Sequence, residues 1–179
     1  MAIVIPYVKQ TWTDGSGGGT PISAARLGAL EEGILDVSQS PTVHVTHNAT
    51  QSVTSATPLT LAFNTERFDQ AGGSASTMHD TVTNNSRLTA VYAGVYQITG
   101  HIQWAATPTS ASIAVRINGT TTIAQSQVAA DYRYMQISTM YSMAVNDYAE
   151  LLVVQASGGA LNVLSTANLS PEFMMVRVG

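Results

Sequence analysis

Two periodicities divide the chain. Between about residues 20 and 37, Leu27, Leu30 and Ile34 recur at spacings of three and four, which predicts a helix with one apolar stripe. Thr20 suits its N-cap and Pro21 its first helical position. So narrow a stripe over four turns cannot form a core alone. The helix must dock, and a seam shared with identical helices is one option. From Ser38 onward the helical period vanishes and period two takes over.

The clearest period-two run is Gly94 to Trp104, GVYQITGHIQW. Tyr96, Ile98, Ile102 and Trp104 point one way, while Gln97, Thr99, His101 and Gln103 point the other. Ile113, Val115 and Ile117 repeat the alternation and end at Asn118-Gly119, a strong two-residue hairpin signal. Further strands are expected at Thr42–His47, Pro58–Asn64, Arg133–Val145, Ala149–Ala156 and Phe173–Val178. Turn signals at Gln70–Ser76, Thr107–Ser110, Asn146-Asp147 and Ser157–Gly159 separate them. Many short strands at this spacing predict an antiparallel sandwich or barrel. Leu151–Val154 and Met135–Val145 have no cleanly polar face. The second face then meets another subunit, or loops cover a central strand.

Composition sharpens this picture. The 179 residues suit one domain plus an appendage. Apolar content is 45%, ample for a core, but only 10% of residues are charged, against about 25% in ordinary soluble domains. So little charge suits a protein that buries much of its exterior against copies of itself, or lays a polar face on a sugar or a protein. Net charge is −4, Lys9 is the sole lysine and the arginines are scattered. Phosphate-backbone binding needs clustered cations, so nucleic acid is not an expected partner. Cysteine is absent, which excludes disulfides and thiolate metal sites. The start, MAIVIPYVKQTW, lacks a basic n-region, and no stretch approaches the roughly 20 apolar residues of a membrane span. Assembly in a cytoplasm without membrane insertion is the expectation.

Asp14–Leu27, DGSGGGTPISAARL, places glycines before a helix N-terminus, an arrangement that elsewhere holds phosphates. No lysine follows Gly19, Pro21 removes an N–H donor, and no βαβ unit surrounds the loop. A hinge is the better reading. His44 and His47 differ by three and face opposite sides of a strand. His79-Asp80 resembles half of a hydrolase dyad, but no G-x-S-x-G elbow accompanies it. Glu66, Asp69 and Asp80 match no calcium loop and read as solvated loop carboxylates. No catalytic residue, cofactor or metal ligand is therefore assigned.

Phe63 through Gly179 resembles the trimeric jelly-roll module of the complement-subcomponent-q and tumour-necrosis-factor superfamily. The likeness rests on Leu61-Ala62-Phe63-Asn64, Ala93-Gly94-Val95-Tyr96-Gln97-Ile98-Thr99-Gly100, Val145–Leu151 and Phe173–Val178. It departs at Ile98, where the usual residue is aromatic. Trp12–Gly15 through Thr20–Leu27 to Glu31–Ile34 is similar to the opening of many bacteriophage tail and fibre proteins, and His79–Thr89 resembles phage proteins carrying such a head.

These resemblances imply an all-β antiparallel jelly-roll sandwich preceded by an extended N-terminal arm and one short α-helix. Residues 1–19 form the arm, 20–37 the helix and 38–179 the head. They imply a homotrimer in a virion, with Tyr7, Trp12, Leu27, Leu30 and Ile34 docking other virion proteins. Tyr96, Tyr134, Tyr141, Met143 and Phe173 would pack about the threefold axis. Aromatic and methionine side chains from Tyr132 to Tyr148 serve that packing or a receptor surface. The implied role is a tail-tip or fibre appendage presenting its head to a host glycan or protein. The alternative is a capsid decoration or structural tail protein without receptor binding.

Overall fold

Alternation of side chains builds the two layers of the molecule. The computed structural model describes residues 27–31, 40–72, 77–129 and 132–179. The strands are β1 (Thr42–Thr46), β2 (Gln51–Val53), β3 (Leu59–Thr60), β4 (Thr65–Gln70), β5 (Arg87–Thr89) and β6 (Gly94–Gln103), followed by β7 (Ser110–Ile117), β8 (Thr121–Ala129), β9 (Tyr134–Met143), β10 (Tyr148–Gln155), β11 (Leu161–Val163) and β12 (Glu172–Arg177). In β6, Tyr96, Ile98 and Ile102 are buried, while Gln97 is exposed and Thr99 and His101 are half-buried. β7 repeats the pattern with Ile113, Val115 and Ile117 inside. Residues 27–31 are helical; the arm expected at 1–19 and the rest of the expected helix lie outside the described residues.

One sheet has the order β4-β1-β12-β6-β9 and the other β3-β10-β7-β8, with β5 also paired to β10. β11 and β2 form a small third sheet. Every pairing is antiparallel, and the two main sheets face each other as a jelly-roll sandwich. Asn118 and Gly119 both take positive φ (51° and 70°), as the sequence predicts for a hairpin. The loop is one residue longer than expected, because Ile117 pairs with Thr121.

Between the sheets lies a continuous core whose largest fully buried side chains include Trp104, Tyr96, Phe63 and Phe173. Phe63 stacks on Phe173 with centroids 5.6 Å apart. The Tyr96 hydroxyl donates to the Tyr92 carbonyl at 2.8 Å, so its one polar group is satisfied inside the apolar layer. Trp104 Nε1 donates to Met135 Sδ at 3.4 Å.

The sheets approach most tightly where Gly100 of β6 meets Leu151 of β10. A Cβ at Gly100 would lie 2.5 Å from Leu151 Cδ1 and 2.8 Å from Cδ2, and Leu151 is fully buried with no space to yield. Overpacking of this kind costs about 1–3 kcal/mol. Gly100→Ala should lower unfolding stability by that amount in urea denaturation. Adding Leu151→Ala relieves the clash, so the double variant should lose less than the sum of the two single losses.

Candidate functional site

The outward face of the β4-β1-β12-β6-β9 sheet is the least ordinary surface of the protein. Register places Phe68, His44, Met174, Thr99 and Ser138 in one row across its five strands. The next row is Gln70, Thr42, Val176, Gln97 and Met140. None of these ten positions is an acid, a lysine or an arginine. Phe68 is 42% exposed and Met140 61%. Large apolar side chains on a face poor in charge mark interaction surfaces rather than solvated ones.

Ionic groups gather at one end of the face, around Glu172. Its side chain is only 9% exposed, although it points outward from the centre of the sheet. A bulge explains how it is neutralised. His44 pairs with Phe68 and Val45 with Glu66, leaving Arg67 as the unpaired extra residue of β4. Bulges of this kind re-aim a side chain, and Arg67 donates to Glu172 Oε1 at 2.5 Å and to Asn168 Oδ1 at 2.7 Å.

Two histidines flank the same carboxylate. His44 Nε2 lies 3.4 Å and His101 Nδ1 3.9 Å from Glu172 Oε2. The His44 contact is one of proximity, since its buried Nε2 has no hydrogen-bond partner. Burial, the largest influence, pushes the His44 imidazole below its ordinary value of 6.5; Glu172 opposes that shift and Arg67 adds to it. Among the described residues no group of three or more His, Asp or Glu side chains is arranged to hold a metal ion.

His79 plays a different part from half of a dyad. Its ring is buried; Nδ1 lies 2.9 Å from Glu66 Oε1 and Nε2 3.2 Å from the Asn85 carbonyl. Both ring nitrogens thus face oxygen atoms, and the imidazole is fixed between Glu66 of β4 and the Asn85 backbone. Asp80 instead accepts the Val82 and Thr83 N–H groups, each at 2.8 Å, and these bonds hold its carboxyl below the usual range. Asp69 accepts the Met78 and His79 N–H groups at 3.1 and 2.9 Å. Burial raises the Asp69 carboxyl above its ordinary range, with those two bonds pulling the other way. Glu66 and Asp69 are thus not the solvated loop carboxylates expected from sequence. They lie on β4 and staple residues 78–79 to it.

The residues assigned to a threefold axis divide. Tyr96, Met143 and Phe173 are 0%, 1% and 0% exposed, and all three belong to the core of the protomer itself. A side chain without accessible surface has nothing left to bury against a neighbour, so these three assignments are corrected. Tyr134 and Tyr141 are 59% and 37% exposed on edge strand β9. Leu27 and Leu30 are exposed on their helical turn; Tyr7, Trp12 and Ile34 lie outside the described residues. Sequence reasoning missed Phe68, Met174, Val176 and Glu172 as face residues. The alternation Thr42-Val43-His44-Val45-Thr46 was a signal for His44, but nothing local announced the bulge that turns Arg67.

Strand order and sheet pairing define an antiparallel jelly-roll sandwich. The fold is similar to that of murine APRIL at pH 8.0, with a TM-score of 0.58 and 8% identity over 78% of this chain and 99% of that one. It is also similar to Eiger TNF from S. frugiperda, with a TM-score of 0.55 and 12% identity over 79% and 94% of the two chains. Identities this low speak for the fold alone. No protein-family model and no curated protein sequence matches the chain.

A pH dependence follows from His44. Its folded-state pKa lies below the unfolded value of 6.5, so the folded state binds fewer protons. The associated stability is present above pH 6.5 and is lost as pH falls through the folded value. Urea midpoints measured from pH 7.5 to 5 should fall more for the wild type than for His44→Gln. Parallel curves would remove His44 as the cause.

Proposed function

We propose that the protein is a self-associating structural component of a bacteriophage particle. In this reading three copies pack through the outward face of the β4-β1-β12-β6-β9 sheet. The N-terminal segment docks the trimer to other virion proteins, and the head is presented to the host surface as a tail-tip or fibre appendage. The single observation that carries self-association is the pair of uncharged rows with Phe68 and Met140 exposed on them. Aromatic and methionine side chains are enriched where interfaces form, and charged ones are depleted. The low charge of the whole chain and the resemblance of Trp12–Ile34 to the opening of phage tail and fibre proteins support the virion setting. Three weak contacts per trimer and many trimers per particle would reach useful avidity.

The assembly state is tested on the full chain. Native mass spectrometry and sedimentation should give a trimer. Met140→Glu, on an exposed position, should keep the protomer folded and weaken association at least a hundredfold. Val82→Glu, on an 83% exposed position away from the sheet, should change nothing. A monomeric wild type at micromolar concentration overturns the reading of the face. For the setting, gold-labelled antibody on intact particles should mark the tail tip or fibres, and deletion of residues 1–19 should abolish incorporation. Labelling confined to the capsid shell would establish the decoration alternative.

A further inference from the structure

The opposite sheet carries an excess cation at the wall of a cleft. Glu150 of β10 stands between two arginines in register, Arg87 of β5 on one side and Arg116 of β7 on the other. Arg116 takes the carboxylate for itself. Its Nε and NH2 donate to Oε2 at 3.1 and 2.8 Å, and NH2 also reaches Thr60 Oγ1 at 3.0 Å. Arg87 is left with a weaker share, Nε lying 3.5 Å from Oε1. That nitrogen is buried without a hydrogen-bond partner. Two guanidinium groups around one carboxylate leave one positive charge over.

Arg87 is nonetheless held in place. Its Cζ sits over the Tyr148 ring, 4.1 Å from the centroid, a cation–π contact that holds the guanidinium against the ring. The side chain is 35% exposed, and it lines a cleft of about 460 Å³. A planar guanidinium meets a carboxylate in two-point contact, here through its terminal nitrogens, since Nε is buried against Glu150. The remaining polar lining is chiefly neutral: Thr77, Thr83, Asn84 and Asn146. Hydroxyls and carboxamides both donate and accept, as the hydroxyls of a sugar require. Asp80 also lines the cleft, and its negative charge disfavours phosphates and other polyanions.

We propose that this cleft binds a monoanionic saccharide, with the sugar carboxylate on Arg87 and its hydroxyls on the threonine and asparagine side chains. The site lies within one protomer, so it is independent of self-association and of the virion setting.

Saturation-transfer NMR on the full chain tests it, with sodium glucuronate, glucose and sodium acetate at matched ionic strength. Glucuronate should bind saturably, acetate should compete only weakly, and glucose should give no signal. Arg87→Lys keeps the charge but loses the planar fork, and should weaken glucuronate at least tenfold. Because Arg87 also faces Glu150, Asn84→Gly provides a second variant. Asn84 has a φ of 53°, which glycine adopts freely, so the fold is kept while the carboxamide is removed; affinity should fall severalfold. Equal signals from glucose and glucuronate, no binding at all, or unchanged affinity in either variant overturns the proposal.

Discussion

Everything in the β4-β1-β12-β6-β9 sheet depends on how β12 is held. The last strand lies between β1 and β6, pairing with each along its length. Its neighbours are thus the first strand of the sandwich and one near its middle, far apart in sequence. The side-chain period of a strand is two, so a slip of one residue on either side would reverse its faces. Phe173 and Met175 would leave the core, and Glu172, Met174 and Val176 would enter it. The stack of Phe63 on Phe173 opposes such a slip, since a large aromatic has one place to go. The character of the outward face is therefore set from inside the sandwich.

With charge so scarce, where each ion goes matters more than how many there are. Glu172, Glu150 and Glu66 each stand beside a cation or a histidine, and the first two are largely buried. Breaking a buried pair by removing one partner is costly, although the intact pair adds little net stability. Their effect is positional: Arg67 is tied to β12 and the 164–170 loop side of the molecule through Glu172 and Asn168. Histidine 79 likewise ties Glu66 to the 77–86 loop. The two rows of the sheet face beyond this cluster are left to side chains that are neither acids, lysines nor arginines.

Much of this architecture was legible in the sequence where long strands alternate cleanly. Gly94–Gln103 and Ser110–Ile117 declared their buried sides, and Asn118-Gly119 declared the hairpin. Short strands escaped: β2, β5 and β11 have three residues each, too few to show a period. β4 was hidden by its charges, since Glu66, Arg67 and Asp69 read as loop until their partners on other segments are seen. The assignment of Tyr96, Met143 and Phe173 to an interface failed for a general reason. Alternation says which set of residues is apolar and buried, and it does not say whether the other sheet or another subunit buries it. The Arg87–Glu150–Arg116 triplet was equally invisible, because three separate strands bring it together.

Placing β12 at the centre of a sheet also has a consequence for synthesis. Of the described strands it is the last to be made, yet β1 and β6 cannot meet their shared partner until it is. Until β12 is in place the sheet has no centre, and the core side of Val43, Val45, Ile98 and the Phe63 ring lacks the cover that Phe173 and Met175 supply.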